Sequence, residues 1–423
     1  MQETSSPIIL KQDRILYLDI LRGIAILFIF IANISFFSGW RFLSESEKLA
    51  LATPKLDHIL DMILFALING KFYSIFSILF GIGFAVQYQK FVDSQRNFVP
   101  FIRRRMIVLV LLGGIHLFFI WLGDILTLYA LLGLVLILFR HFSDRRLIVW
   151  AVVLLILPVV HYLFMLFTGA FYPYLLYEVF DDYAGSQGMT IKDWNNQGYE
   201  SFSFKEYFAI TDTNQLIKIN VGMPLNRLAN ILLEGRIFKV LALFLLGIWA
   251  GRHILLHNLL ENKGLLKKIL LWGLVIGLPM NIIRTCIEFG IFKGEIWDIL
   301  NYVTYAAGVV PLACAYAALI ALSMQKNQKI LSWFAPVGKA ALTNYIFQSI
   351  ISIFIFYKIG LGFINTMGFF QITMLAIFIF ICQLILSTIW LTYFRFGLLE
   401  WIWRMLTYGK WISILKKRQN AIG

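Results

Sequence analysis

The sequence predicts an all-α fold, a polytopic integral membrane helical bundle of about ten transmembrane helices with one further helix along the outer interface. Three observations predict it. Hydrophobic residues make up 60% of the 423 and charged residues only 14%, too few polar groups to clothe a soluble globule of this size. Aromatic residues reach 16%, as expected where rings anchor helix ends at a membrane surface. The apolar residues gather into runs of about 16 to 25, long enough to cross ~30 Å of hydrocarbon at ~1.5 Å per residue.

The spans fall near 18–38, 72–90, 104–122, 124–139, 147–169, 237–257, 266–287, 299–323, 340–358 and 370–394, all within a single membrane domain over 1–423. The first run is followed by "FFSGWRF" rather than a small-residue cleavage site, so it is read as a span and not as a signal peptide. Residues 40–71 are partly polar and end in the amphipathic "LDHILDMILFAL", the interfacial helix. The third and fourth spans meet at "WLGD", too short for anything but a hairpin turn. Residues 170–236 form the one long extracytoplasmic loop. Its Gly, Asn and Gln mark turns, and its Trp and Tyr suggest a partly ordered cover over the outer face.

Orientation follows from charge. Basic residues recur at every second turn: Lys11 and Arg14; Arg103, Arg104 and Arg105; Arg140, Arg145 and Arg146; Lys326, Lys329 and Lys339; Arg404 and Lys410. Such an excess in short loops places both termini in the cytoplasm. The formal net charge of +14 is then a property of topology, and a nucleic-acid partner is not expected because the bases sit in separate turns beside spans. Cys286, Cys314 and Cys382 fall in apolar runs without disulfide or ligand spacing. His253 and His257 share a helix face, but the sequence sets no carboxylate or Cys beside them, so they are read as interfacial and no metal site is expected.

The functional signal is polar residues inside spans. In "LDILRGIAILFIFIANIS" Asn33 lies eleven residues beyond Arg22, about 20° from the same helix face, with Asp19 one turn below. Each intramembrane charge costs ~2.5–3.5 kcal/mol unless it faces protein or water, so the stripe Asp19–Arg22–Asn33 must line an interior surface. His116 lies eleven residues beyond Arg105, and Asn344 and Gln348 lie five and nine beyond Lys339, on spans running the same way. Asn33, His116 and Gln348 are therefore expected at one depth, about 16 Å above the inner interface. Asp124, eight residues past His116, would reach its imidazole only if the helix broke at Gly123 and the chain folded back. Arg284 is a second arginine within a span, without a role assigned.

Five stretches in order, "LDILRGIAILFIFIANI", "GKFYSIFSILFGIGFAVQ", "GGIHLFFIWLGDILTLYALLGL", "PVGKAALTNYIFQSIISIFIFY" and "LLEWIWRMLTYG", resemble the YeiB-like family of bacterial multi-pass membrane proteins, domain of unknown function 418. The resemblance implies the inner membrane of a bacterial cell. More distantly, "LDILRG…N" is similar to the first span of transmembrane acyltransferases, among them the heparan glucosaminide N-acetyltransferase and the acyltransferase-3 enzymes. That similarity implies acyl transfer from cytoplasmic acyl-CoA, as acetyl-CoA, to an envelope glycan or lipid on the far side, with a His central to the chemistry. No cofactor is then bound permanently.

In that reading Arg22, Arg103, Arg104 and Arg105 hold the CoA phosphates, and Asp19, one turn from Arg22, completes the cofactor-binding set. His116 is the general base, oriented by Asp124; Asn33 or Gln348 stabilises the oxyanion; Asn344 and Gln348 contact the acceptor. The rival reading is a transporter or flippase built of two inverted halves, with "FGIGF" answered by "GLVIGLP", and a third is an accessory membrane protein without catalysis.

Overall fold

The computed structural model describes residues 7–194, 200–256 and 259–416, with side chains from residue 16 onward except at 191–194, 200, 201, 255 and 256. The side chains of Lys11 and Arg14, and His257, lie outside this range. The described chain is helical apart from one small hairpin, as its apolar runs predict.

Helix α1, Pro7–Phe37, ends where Gly39 takes a φ of 75°. A short α2, Glu45–Leu49, begins at a reciprocal Ser44–Glu47 capping box, and α3, Pro54–Leu67, is the amphipathic interfacial segment. Gly70, at φ 85°, turns the chain into α4, Lys71–Asp93. Asn97 caps α5, Phe98–Ile115, which continues through a wide turn to α6, Leu126–Val135. Helix α7 is Asp144–Thr168. The predicted cover follows as α8, Tyr174–Ser186; the antiparallel pair β1, Ile191–Trp194, and β2, Glu200–Phe202; α9, Phe204–Phe208; and α10, Thr213–Leu233. The second half comprises α11, Arg236–Leu256; α12, Lys263–Glu288; α13, Glu295–Thr304; α14, Val310–Leu331; α15, Ala335–Lys339; α16, Ala341–Phe356; α17, Phe369–Tyr393; and α18, Leu398–Tyr408.

Each predicted span falls on a helix. Among the described residues seven helical stretches are long and apolar enough to cross a bilayer, and Leu126–Phe139 and Ala341–Phe356 are shorter apolar helices. The apolar residues sort as a membrane protein requires. On α7, Val149, Val152, Ile156, Val160 and Phe164 are exposed at helical spacing, whereas Leu147, Ala151 and Leu154 are buried in one cluster with Val240 and Phe244 of α11. Helices α4 and α11 touch at Gly81 and Gly247, where an added Cβ would lie 2.1 Å from the Phe244 carbonyl or 2.2 Å from that of Ile78. Small residues let the two backbones meet without a hydrophobic drive from lipid.

Two helix starts are capped from a distance. Ala340 precedes α16 and offers no capping side chain, so Glu400 of α18 accepts from Leu342 N–H (2.6 Å), Thr343 N–H (3.2 Å) and the Thr343 hydroxyl (2.6 Å). Buried Asp57 of α3 accepts from Phe370 N–H (2.8 Å) at the start of α17. Glu400 thus faces α16 rather than Arg404 one turn along its own helix, and the Arg404 guanidinium lies 4.4 Å from the Phe396 ring.

The 170–236 segment departs from a cover lying on the surface. Phe180, Tyr207, Phe208, Ile219 and Met223 are fully buried, and α10 packs against the wide turn after α5. His253 departs from its reading too, since Asp144 of α7 lies 3.0 Å from its Nε2 and 3.1 Å from Arg252 Nη1. That carboxylate is distant in sequence and could not be seen beside the histidine.

Candidate functional site

Helix α1 brings its polar stripe against α15 because both helices carry glycine at the crossing. A Cβ on Gly338 would sit 1.8 Å from the Asp19 carbonyl, and one on Gly23 2.1 Å from the Phe334 carbonyl. At this crossing Asp19 is buried and its carboxylate accepts from Arg22 Nη1 at 3.1 Å.

Arg22 opens onto a cavity of about 660 Å3, within the range of small-molecule sites. One end, the near mouth, is lined by Arg22, Arg105, Lys339, Glu400, Trp403 and Arg404. Arg105 stacks on Trp403 with 3.7 Å from its guanidinium carbon to the ring centroid, while the Trp403 indole N–H donates to the Arg105 carbonyl at 2.9 Å. The cavity follows α1 past Asn33 and ends in a far chamber lined by Arg41, Arg227, Glu234, Arg236, Lys239, Arg284, Glu288, Tyr302 and Tyr305. Arg22 and the end of α1 at Phe37 are separated by about 22 Å of helix, so the two ends sit at opposite levels of the bundle.

His116 is wholly buried and begins a wide turn in which Trp121 N–H donates to the His116 carbonyl at 2.7 Å. The helix stops there and the chain folds back, which brings Asp124 Oδ1 to 3.0 Å from His116 Nδ1. Asp124 also accepts from Leu126 N–H (3.1 Å) and Thr127 N–H (2.8 Å), so its carboxylate is an acceptor throughout and Nδ1 carries the proton. His116 Nε2 is then the basic nitrogen, and the buried Ser349 hydroxyl, 3.0 Å away, donates to it. Arg227 of α10 grips the hairpin from the other side, donating from Nε (3.1 Å) and Nη2 (3.0 Å) to the Asp124 carbonyl.

The predicted residues are thus divided. Arg22, Arg105 and Asn33 line the cavity; Arg103 and Arg104 are exposed and do not. Their span rotates only Arg105 inward, since residues ~100° apart on a helix cannot all face one side. His116 stands one layer behind the wall, where Tyr345, with its ring centroid 5.3 Å away, and Gly123 take its place. Asn344 and Gln348 are not on the cavity. Gln348 donates to Gln383 (2.8 Å), Gln383 donates to the Asn344 carbonyl (3.1 Å), and Asn344 donates to Ser387 (3.0 Å), a network between α16 and α17. Both amides satisfy their polar groups against the neighbouring span, which sequence depth alone could not distinguish from facing a cavity. Tyr345, Arg227, Lys239 and Ser349 went unnoticed: three lie at helix ends or beside a predicted site residue without a pattern, and Arg227 belongs to the segment read as a cover.

A polytopic membrane bundle with a polar cavity through its interior is the class that fold and site define. Its sequence relatives supply the family. The family of proteins of unknown function DUF418 matches residues 250–410, and "Uncharacterized protein YxaH" of Bacillus subtilis is 32% identical over 96% of this chain and 98% of its own length. "Uncharacterized protein YeiB" of Escherichia coli K12 is 29% identical over 93% of the chain and 96% of its own length. The chain belongs to this DUF418, YeiB-like family. No solved structure matches it significantly.

Proposed function

We propose that the protein is a transmembrane acyltransferase of the bacterial inner membrane, with both termini cytoplasmic, that carries an acyl group from cytoplasmic acyl-CoA, as acetyl-CoA, to an envelope glycan or lipid. The observation that carries this reading is the single cavity joining a basic near mouth to a far chamber beside the His116 hairpin. Arg22, Arg105, Lys339 and Arg404 offer charge-assisted donors to the CoA phosphates, and the corridor past Asn33 suits a pantetheine arm.

In the reaction an acceptor O–H or N–H attacks the thioester carbonyl carbon. The C–S bond breaks and the CoA thiolate leaves, taking up the proton removed from the acceptor. His116 Nε2 receives that proton in the interval, with Asp124 holding the protonated ring through Nδ1. The Tyr345 ring must turn aside for the acceptor to reach His116, which makes Tyr345 the gate of the step. In this reading Asn33, a residue of the cavity wall, donates to the developing oxyanion.

A long cavity lined by charge at both ends also favours a second reading, movement of an envelope component without chemistry. Purified protein in liposomes, given acyl-labelled acetyl-CoA inside and envelope extract outside, distinguishes them. Label transferred to an extract component supports the enzyme. Passage of the component without label, and independent of CoA, supports the transporter.

A further inference from the structure

The far chamber holds more positive charge than its own carboxylates can neutralise. Besides Arg41, which is exposed, Arg227, Arg236, Lys239 and Arg284 face Glu234 and Glu288. Only Arg236 is held in an ion pair there, with both its Nε and its Nη2 on Glu234 Oε2, at 2.8 and 2.5 Å. Lys239 is 7% exposed, and no acceptor or carboxylate among the described residues lies within bonding reach of its Nζ. What faces it is the Tyr305 ring, 3.9 Å to the centroid. Arg284 donates from Nη1 to Asn69 at 3.3 Å, and its Nε is buried without a partner. Arg227 spends Nε and Nη2 on the Asp124 carbonyl, which leaves Nη1 for something else.

Burying a guanidinium N–H without an acceptor is costly, and an ammonium on the wall of the same chamber adds to the charge to be met, so the arrangement is complete only with an anion in place. The excess of two cations over acids, three with Arg41, calls for more than the single charge of a carboxylate. A phosphoryl group carries about −1.5 to −2 and offers three acceptor oxygens, a match for one ammonium and two guanidinium forks. We infer that the far chamber binds a phosphoryl group, and, resting on the acyl-transfer reading, that the acceptor is a phosphorylated glycan or lipid. Arg227 joins the two regions: the guanidinium that faces the phosphoryl group also holds the Asp124 hairpin, so binding there orders the imidazole's partner.

The test uses the full chain in detergent, with inorganic phosphate and glycerol 3-phosphate titrated in thermal-shift assays and phosphatidylglycerol or phosphatidic acid followed by native mass spectrometry. Expected is saturable binding of a phosphoryl probe by the wild type. Binding should weaken at least tenfold in Lys239→Met and in Arg284→Gln, and remain unchanged in Arg103→Gln, an exposed residue off the cavity. Binding only to the lipids identifies a headgroup as the source, and binding only to the soluble phosphates a non-lipid ligand; either supports the shared chemistry. Absence of binding by every probe, or binding unaltered in whichever of Lys239→Met and Arg284→Gln accumulates, overturns it. CoA is titrated in parallel. CoA binding without phosphoryl binding removes this inference and leaves acyl transfer standing, whereas phosphoryl binding without CoA binding does the reverse.

Discussion

The two ends of the cavity are both basic but differently built. At the near mouth each base has a companion or solvent: Arg22 pairs with Asp19, Arg105 lies on Trp403, and Arg404 lies on Phe396. In the far chamber the Arg284 Nε is buried without an acceptor, and Lys239 faces the cavity and the Tyr305 ring with no carboxylate bonded to it among the described residues. A mouth built of partnered cations can exchange a long, flexible, charged ligand quickly. A chamber with unsatisfied cations holds a compact anion tightly, because its alternative is an uncompensated charge in low dielectric. The difference teaches that a stacked or paired cation and an unpaired one serve different ligands even when they line the same wall.

The strongest way to break that contrast is at the hairpin between the two ends. His116→Gln and Asp124→Asn are expected to reduce acyl transfer by roughly 10²–10⁴-fold while leaving ligand binding at both ends intact. Retained transfer in His116→Gln, measured on protein that accumulates normally in the membrane, would remove His116 from the chemistry. Next in size, Arg22→Gln and Arg105→Gln should each weaken CoA binding by about 1.5–3 kcal/mol, the cost of a hydrogen bond to a charged group, with the far chamber unaffected. Equilibrium binding of labelled CoA reads this directly, and an equal effect from Arg103→Gln, which is exposed, would show that surface charge alone is at work.

A smaller effect is expected from Glu400→Ala. Removing the remote cap of α16 should cost about 0.5–2 kcal/mol of stability, whereas Arg404→Gln should cost far less, since it loses only a ring contact. Thermal unfolding in detergent compares the two, and equal losses would return Glu400 to a surface pair with Arg404. The smallest effect concerns Asp181 in α8, whose carboxyl is pushed up to about 6 by burial. The folded chain therefore binds this proton more tightly than the unfolded chain. The stabilisation is full below about pH 4 and is lost as pH rises through about 6. Hydrogen exchange across α8 and β2 should quicken between pH 5 and 7, and Asp181→Asn should flatten that dependence.

Legibility in the sequence followed what is local. Apolar runs foretold a helical bundle with a helix at each expected span, the "WLGD" turn foretold the α5–α6 hairpin, and helix periodicity turned Arg22 and Asn33 toward one interior surface. The approach of Asp124 to His116 was legible only as a condition, a break at Gly123. The structure meets it slightly earlier, through a wide turn that ends at Ile120. Equal depth misled for Asn344 and Gln348, because depth fixes height in the membrane and not rotation about the helix axis, and their rotation turns them toward α17.

By itself the sequence determined that this chain is a helical membrane bundle with charges to hide, since hydropathy and the 1.5 Å rise act residue by residue. Only the tertiary structure decided which charges are hidden together. Tyr345 in front of His116, Ser349 behind it, Arg227 reaching in from the segment expected to lie outside, and Lys239 facing a tyrosine ring are all contacts between helices distant in sequence. Such contacts depend on the rotation and crossing of each helix against its neighbours. In lipid those are set by the fit of small residues and buried polar groups across the whole bundle, a sum that no single stretch of sequence contains.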